Sequence, residues 1–394
     1  MTSPAFPPSR AAALDRLEVF VPGAGPHYAA ERNIDPGPGR GSAVSRLSPY
    51  LRHRLVTEAE IVGAVLARHR FDDAEKFVQE VLWRTYWKGW LELHPTVWSR
   101  FLDARDASKR TGEVASAEKG ETGIEGFDDW ARELVETGYL HNHARMWFAS
   151  IWIFTLRLPW ALGADFFLRH LIDSDPASNT LSLRWVAGLQ TAGKTYLATR
   201  DNIARCTEGR FTPQGLATEA QALTEAPLPP IRPLAPLPAD APSSPALLLV
   251  TAEDLHPESL FDGQKRFAAA IVAADADLLW GNHARTFVHA ATADAAMRVQ
   301  KKFGCAVQIS AKLDMANIVA AAREAGVRHV VTAAAPVGPI ADALTKIKSD
   351  LSKTGIWLSY VRRRWDDAFW PHATRGFFAF RKQIPTNLRE LGCT

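Results

Sequence analysis

Apolar residues recur every three or four positions through the first half of the chain, and this spacing predicts amphipathic helices. The segments that carry it are residues 59–67, 77–93, 127–136 and 141–156. Residues 112–126 are polar and contain glycine, which predicts a loop. Since no run with the two-residue period of a strand interrupts this half, we expect an all-α domain.

The second half follows a different pattern, in which short apolar runs alternate with alanine-rich segments. The runs predict strands at residues 247–251, 278–281, 307–310, 329–333 and 356–361, and the intervening segments predict helices at 267–274, 293–303, 316–325 and 340–353. Buried strands that alternate with helices are typical of a parallel, doubly wound, Rossmann-like sheet. Any ligand of this α/β domain is expected at the carboxyl ends of its strands.

A proline-rich segment separates the two patterns. Eight prolines fall between Pro227 and Pro245, a density that excludes helix and sheet and predicts an extended linker. We therefore divide the chain into a helical domain at 1–211, a linker at 212–245 and an α/β domain at 246–394.

Charge and cysteine content restrict the protein class. The 394 residues carry 46 Lys and Arg and 43 Asp and Glu, and this net charge of +3 is not typical of a nonspecific nucleic-acid coat. Three cysteines, far apart in sequence, argue against a disulfide framework and favour a reducing, cytoplasmic compartment. The most apolar stretch, residues 146–168, contains Arg157 and Pro159, so it predicts buried helices rather than a membrane span.

Two familiar motifs lack the context that their chemistry requires. Residues 188–195, GLQTAGKT, match a phosphate-binding loop, but no apolar strand precedes them, so a nucleotide triphosphatase is the weakest of three functional hypotheses. His141 and His143 lie two positions apart and would point about 200° apart on a helix, so they could not share a metal. We predict no metal site.

Four segments of the helical half bring together carboxylates, arginines, an amide and aromatic side chains. They read SRLSPYL at 45–51, FVQEVLWR at 77–84, TGYLHNHARM at 137–146 and HLIDSDPASN at 170–179. On a helix, Glu80 lies about one turn from Trp83 and Arg84, and Asn142, Arg145 and Met146 share one face. Each segment alone is more typical of a buried ion-pair cluster in a helix bundle than of a functional site.

In this order and spacing, the four segments resemble the FAD-binding domain of the photolyase/cryptochrome family over about residues 28–206. The resemblance implies a noncovalently bound, bent FAD. Its phosphates would contact Ser45, Arg46, Leu47 and Ser48, with Tyr28 as a further candidate. Its flavin would meet Asn142 at N5, Arg145 paired with Asp173 beside the ring, and Asp175 and Asn179 at the ring edge and ribityl chain. Arg84 matches a cofactor and DNA position of the family.

The same resemblance implies a pocket for a pyrimidine dimer flipped out of DNA. Glu80 would contact both adenine and the dimer, and Trp83, Asn142, Met146 and Trp185 would complete the catalytic pocket. Trp160 matches the middle residue of the family's tryptophan chain for electron transfer, whereas the innermost position falls on Leu183, which cannot carry an electron. Photoreduction is therefore expected to be slow, or to use Trp147, Trp152 or Trp185 instead.

The chain also departs from the family pattern in ways that keep two functions open. Its helical domain ends early, and an α/β domain follows it instead of preceding it; this domain is either a rearranged antenna domain or an unrelated one. One hypothesis is a photolyase-like enzyme that binds damaged DNA weakly and prefers single strands. The alternative is a cryptochrome-like blue-light photoreceptor with a signalling partner. The antenna chromophore and the lesion type stay undetermined.

Overall fold

The computed structural model describes residues 5–237, 245–263 and 267–393. In its first part the chain forms helices. They are α1 Arg10–Phe20, α2 Pro26–Glu31, α3 Ser48–Arg52, α4 Glu58–Leu66, α5 Phe71–Leu93, α6 Thr96–Ala107, α7 Gly112–Lys119, α8 Phe127–Thr137, α9 Asn142–Ser150, α10 Trp160–His170, α11 Pro176–Val186 and α12 Arg200–Cys206. A π-helical turn, Ile151–Thr155, continues α9.

The long helix α5 organises this region. Asp72 and Asp73 lie in its first turn, where carboxylates favour the positive end of the helix dipole, and it ends at Leu93, just before Pro95. Helix α4, which packs beside it, begins with a capping box between Thr57 and Glu60. The predicted loop at 112–126 is wrong in its first part, because α7 forms there and buries Val114 and Ala117.

The second part of the chain is an α/β region. Its strands are β1 Ala246–Thr251, β2 Ala269–Ala273, β3 Ala306–Ser310, β4 His329–Ala333 and β5 Trp357–Val361. Its helices are α13 Pro257–Leu260, α14 Asn282–Phe303, α15 Met315–Glu324, α16 Pro339–Ser352, α17 Arg364–Phe369, α18 Phe377–Arg381 and α19 Ile384–Glu390. The strands pair in parallel in the order β3-β2-β1-β4-β5, which confirms the predicted fold class.

Two predicted elements of this region are wrong. Residues 269–273 form strand β2 rather than a helix, because they hydrogen-bond to β1 on one side and β3 on the other and bury Ile271 and Val272 completely. Residues 276–278 form a 3₁₀ turn rather than a strand, and the side chain of Asp275 accepts a hydrogen bond from Asp277 N at its start. In β2 the pairing with its neighbours outweighs the local composition, whereas at 276–278 a local side-chain cap starts the turn.

The proline-rich segment lies against the helical region. Residues 212–237 contain no helix or strand. Arg100 donates hydrogen bonds to the carbonyl oxygens of Ala226 and Pro227, and Arg232 N donates to Leu93 O at 2.9 Å. The described part of the segment is therefore held in place, while residues 238–244 lie outside the described ranges.

The carboxyl ends of the strands face the helical region, so the crevice where a ligand was expected is filled by protein. Glu253, which follows β1, forms a bidentate ion pair with Arg52. Arg363, which follows β5, pairs with Asp254, and Arg54 pairs with Asp366 at 2.7 Å. All of these side chains are buried, and together they form the interface between the two regions.

The last helices of the chain pack against α5. Trp370 approaches α5 so closely at Gly89 that a Cβ there would lie 2.8 Å from Trp370 Cα. Trp365 donates its Nε1–H to Thr85 Oγ1 at 3.0 Å. Within the three described ranges, no helix is both long and apolar enough to cross a membrane.

Candidate functional site

A cavity of about 510 Å³ opens between the loop before α3 and helices α2, α5, α9 and α11. Thirteen of the residues singled out in the sequence line it: Tyr28, Ser45, Arg46, Leu47, Ser48, Glu80, Trp83, Arg84, Asn142, Arg145, Met146, Asn179 and Trp185. Segments spread over more than 150 residues of sequence thus meet at one site. Asp173, Asp175 and Trp160 are not on the cavity wall.

Helix α5 forms one wall because its cavity-facing residues recur with helical spacing. Glu80, Trp83, Arg84 and Trp87 lie one and two turns apart and all line the cavity. Burial raises the pKa of Glu80, and Arg32, whose Nε lies 3.8 Å from its Oε1, opposes that shift. The cavity therefore holds a carboxyl group that protonates more readily than a solvated glutamate.

Arg84 separates the two predicted aspartates from the cavity. It donates to Asp173 Oδ2 at 2.8 Å and also pairs with Asp175, which is fully buried. Burial alone would raise the pKa of Asp175, but the charges of Arg84, Lys88 and Arg52 hold it well below its usual range. Asp175 thus lies behind Arg84 and off the cavity wall, and its contact with a flavin stays a prediction.

Asp175 and Asp173 instead hold the cavity floor in position. Asp175 caps α11 by accepting hydrogen bonds from Ala177 N and Ser178 N. Asp173 accepts from Asn179 Nδ2 at 3.2 Å, and the Arg145 guanidinium lies 3.8 Å from its other carboxylate oxygen. The pairing of Arg145 with Asp173 is thus present. The two aspartates do not line the cavity but position Arg84, Arg145 and Asn179, which do.

Ser45 to Ser48 form the turn that leads into α3. Arg46 adopts a left-handed backbone conformation with φ of 53°, and its guanidinium lies 4.5 Å from the centroid of the Tyr139 ring. Among the described residues, the buried Arg46 Nε and the buried Ser178 Oγ, both of residues that line the cavity, have no hydrogen-bond partner. Buried polar atoms without partners are costly unless a ligand satisfies them.

A histidine–tyrosine pair that the sequence analysis missed adjoins the cavity. His143 Nδ1 lies 3.0 Å from the carbonyl oxygen of Asn33. Since a carbonyl can only accept, Nδ1 carries the proton and the lone pair of Nε2 points to the hydroxyl of Tyr196 at 3.3 Å. Burial lowers the pKa of His143, which favours this neutral form. The Tyr196 ring stacks on Trp185, which lines the cavity.

Other rings pack against Trp83. Phe377 of α18 stacks on it with ring centroids 3.7 Å apart and planes 11° apart, and the Trp87 ring is tilted against it at 5.1 Å. One face of Trp83 is therefore covered by the α/β region, and its predicted base-stacking role stays a prediction.

The predicted electron carrier Trp160 lies at the start of α10, where its ring is 6.0 Å from Phe101. Leu183 is fully buried and lines the cavity. Residues 188–195 form turns directly after α11 and no strand precedes them, so the geometry of a phosphate-binding loop is absent there.

Comparison with known proteins finds similarity over part of the helical region. Residues 77–211 match the family model described as the FAD binding domain of DNA photolyase. This part of the chain is therefore similar to the FAD-binding domain of the photolyase family.

Individual relatives are similar to part of the chain. The deoxyribodipyrimidine photo-lyase of Streptomyces griseus is 37% identical over 153 residues, 38% of this chain and 33% of that protein. The enzyme of the same name from Agrobacterium fabrum is 33% identical over 188 residues, 46% of this chain and 38% of that protein. The chain thus spans less than half the length of the curated relatives it matches.

Solved structures show partial similarity. A bacterial class III photolyase from Agrobacterium tumefaciens is 31% identical with a TM-score of 0.42, covering 50% of this chain and 40% of that one. A Synechocystis cryptochrome is 23% identical with a TM-score of 0.44, covering 51% and 43%.

Proposed function

We propose that the cavity binds FAD. The observation that carries the proposal is the convergence of the family's residues on one cavity that also holds unpartnered buried donors at Arg46 and Ser178. Arg46 and the Ser45–Ser48 turn would hold the negative diphosphate, while Asn142 and Arg145 would face the flavin. When bound, FAD supplies one-electron chemistry that blue light drives.

The absorption spectrum of the purified protein, before and after incubation with FAD, tests this proposal. We expect a flavin spectrum and stoichiometric FAD, with FMN binding more weakly because it lacks the second phosphate and the adenosine. Arg46→Ala should weaken FAD more than FMN. A protein that stays colourless in excess FAD would contradict the proposal.

The activity that fits this site best is photolyase-like, light-driven electron transfer to a pyrimidine dimer in DNA. Glu80, Asn142, Met146 and Trp185 line the cavity together, which provides polar and aromatic contacts for a flipped base. The relatives over this region are named deoxyribodipyrimidine photo-lyases. Illumination of FAD-loaded protein with dimer-containing single- and double-stranded oligonucleotides should restore thymines, faster in the single strand, which requires no unpairing.

A photoreceptor without repair activity is the second candidate, and the stack of Phe377 on Trp83 favours it. If the protein is a photoreceptor, light should change its flavin spectrum while the dimers stay intact. Phe377→Ala distinguishes the two candidates. Restored repair in this variant would identify a repair enzyme held closed by its own ring, whereas continued absence of repair would support sensing.

The electron source in either case is proposed to be Trp185 and Tyr196. Trp185, which lines the cavity, would supply an electron to the bound cofactor, and Tyr196, whose ring stacks on Trp185, would return one to it. The phenolic proton of Tyr196 would pass to the Nε2 lone pair of His143, which would leave a neutral tyrosyl radical. Illuminated protein should show the electron paramagnetic resonance signal of a neutral tyrosyl radical, absent in Tyr196→Phe and diminished in His143→Gln. An unchanged signal in Tyr196→Phe would exclude this route, and loss of the signal in Trp160→Phe alone would restore the family's usual one.

A further inference from the structure

The C-terminal segment 374–382 packs against helix α5 beside Trp83, a residue of the cavity wall, and we call this segment the C-terminal rim. Tyr86 of α5 donates its hydroxyl proton to the carbonyl oxygen of Arg375 at 2.9 Å, which fixes the start of the rim. Phe377 then stacks on Trp83, whose side chain lines the cavity. The next residue, Phe378, turns away from α5 and is 75% exposed. A large apolar ring is thus held in solvent beside the cavity.

Cationic side chains of the same segment accompany this ring without carboxylate partners. The guanidinium of Arg381 lies 5.8 Å from the centroid of the Phe378 ring. Among the described residues no carboxylate lies within ion-pair distance of Arg375, Arg381 or Lys382, although most arginines at the interface between the two regions are paired. From residue 371 to the end of the chain, four Lys and Arg stand against one Glu.

We propose that the C-terminal rim binds single-stranded DNA, with a base stacked on Phe378 and phosphates on Arg375, Arg381 and Lys382. Single-strand binding surfaces combine a cationic track with aromatic rings, because every base has a face that can stack. A duplex offers no free base face to Phe378, and an acidic peptide would use the cations but not the ring. The proposal rests on the proposed action on DNA, since the bound strand would lead into the cavity.

The rim would add DNA-binding surface outside the helical region. It lies outside residues 77–211, the part that matches the family model, and it belongs to helix α18 of the α/β region. The α/β region would then do more than support the fold, because it would supply one side of the DNA-binding surface.

The test uses fluorescence anisotropy of a dye-labelled oligothymidylate without dimers, across a salt series, with the full chain. Base stacking is worth about 1–3 kcal/mol, so Phe378→Ala should weaken binding roughly 5- to 150-fold. Replacing Arg381 and Lys382 together by alanine should lower the salt slope by about 1.4, since each phosphate contact on a single strand contributes about 0.7. Matched controls are Trp357→Ala, an exposed ring on β5, and Lys301→Ala, an exposed cation on α14.

Inorganic polyphosphate separates the ring from the charge, because it carries phosphates and no bases. Phe378→Ala should leave polyphosphate binding unchanged, whereas the double cation variant should weaken it. Equal loss of binding in the control variants, equal affinity for duplex, or no binding of the single strand would each overturn the inference. FAD uptake and light-driven spectral change, measured on the same samples, show separately whether the proposed function holds.

Discussion

Two groups of buried or half-buried charges differ in their partners. At the interface between the helical and α/β regions, Arg52, Arg54 and Arg363 each meet a buried carboxylate at hydrogen-bond distance. In the cavity, Arg46 contacts the rings of Phe6 and Tyr139, and no carboxylate of the described residues lies within ion-pair distance of it. Arg145 reaches Asp173 only at 3.8 Å.

The presence or absence of a carboxylate partner thus distinguishes residues that stabilise the interface from residues that could bind a charged ligand. A buried charge is tolerated when an opposite charge pairs with it. Removing one partner leaves the other charge buried and unpaired, which lowers the free energy of unfolding. Charge that the protein leaves uncompensated at a cavity is available to a charged ligand. Mutation should therefore affect stability at the first group and ligand affinity at the second.

The largest effect is expected for Arg54→Leu at the interface. This change leaves Asp366, Glu58 and Asp254 buried without their shared cation, so the free energy of unfolding should fall by about 3–5 kcal/mol. Urea denaturation measures it. Lys353→Ala removes an exposed pair with Asp350 and should change stability by less than about 1 kcal/mol. Similar values for both variants would show that the interface pairs contribute no more than surface ones.

The second prediction tests the same interface sterically. A Cβ at Gly281 would lie 1.8 Å from the carbonyl oxygen of Arg169, so Gly281→Ala should destabilise the protein by about 1–3 kcal/mol or more as α14 is displaced from α10. The control is Gly63→Ala in α4, where nothing lies within 4 Å of the new Cβ. That variant should be stabilised by about 0.5–1 kcal/mol in thermal unfolding. A stable Gly281→Ala protein would mean that the two regions are less closely packed.

A pH dependence follows from Glu92, which accepts a hydrogen bond from Val337 N where the two regions meet. Burial raises the pKa of Glu92 to about 7. Because the folded state holds this proton more tightly than the unfolded state, the stability from Glu92 is present below its ordinary pKa and is lost as pH rises towards 7. Glu92→Gln should remove that loss, so at pH 8 its free energy of unfolding should exceed that of the unsubstituted protein by about 1–3 kcal/mol.

The measurement is the difference in unfolding free energy between the two proteins from pH 4 to pH 8. Taking this difference cancels the buried histidines, such as His53, whose pKa is lowered to about 3 by burial and which destabilise the fold as pH falls below their ordinary value. A flat difference curve would place the Glu92 carboxyl in contact with solvent.

The smallest effect belongs to the cavity and should leave stability untouched. Asn142 is exposed on the cavity wall and has no side-chain hydrogen bond within the described ranges. If it contacts the cofactor, Asn142→Ala should weaken FAD binding about 2- to 10-fold, the value of one hydrogen bond, and leave the urea midpoint unchanged. Unchanged affinity would remove Asn142 from the FAD contacts.

The sequence predicts which residues line the cavity better than it predicts which elements pack around them. Glu80, Trp83 and Arg84 share a wall because helical spacing puts them on one face of α5, and such spacing can be read directly. The alanine-rich sequence of strand β2 predicts a helix because alanine favours helices locally. Its conformation is decided instead by hydrogen bonding to β1 and β3. Local pattern carries no information about partners that arrive from elsewhere in the chain.

The contacts that were missed all join distant residues. The pair of His143 and Tyr196 is 53 positions apart, and nothing in either segment indicates the other. Phe377 covers Trp83 from almost the opposite end of the chain, so a residue chosen as a base-stacking surface proved to be stacked already. The predicted extended linker lies on the helical surface for the same reason, since its backbone groups bond to Arg100 and Leu93.

The packing of α17 and α18 on α5 also determines when α5 can complete its folding during synthesis. Trp365 bonds to Thr85 across 280 positions, so one flank of α5 stays uncovered until residue 365 has been synthesised. At about 5–20 residues per second this delay is roughly 15 to 55 seconds. Throughout that interval the Tyr86 side chain lacks its contacts with Arg375, Phe377 and Phe380 and leaves an aromatic surface of the nascent helical half unprotected.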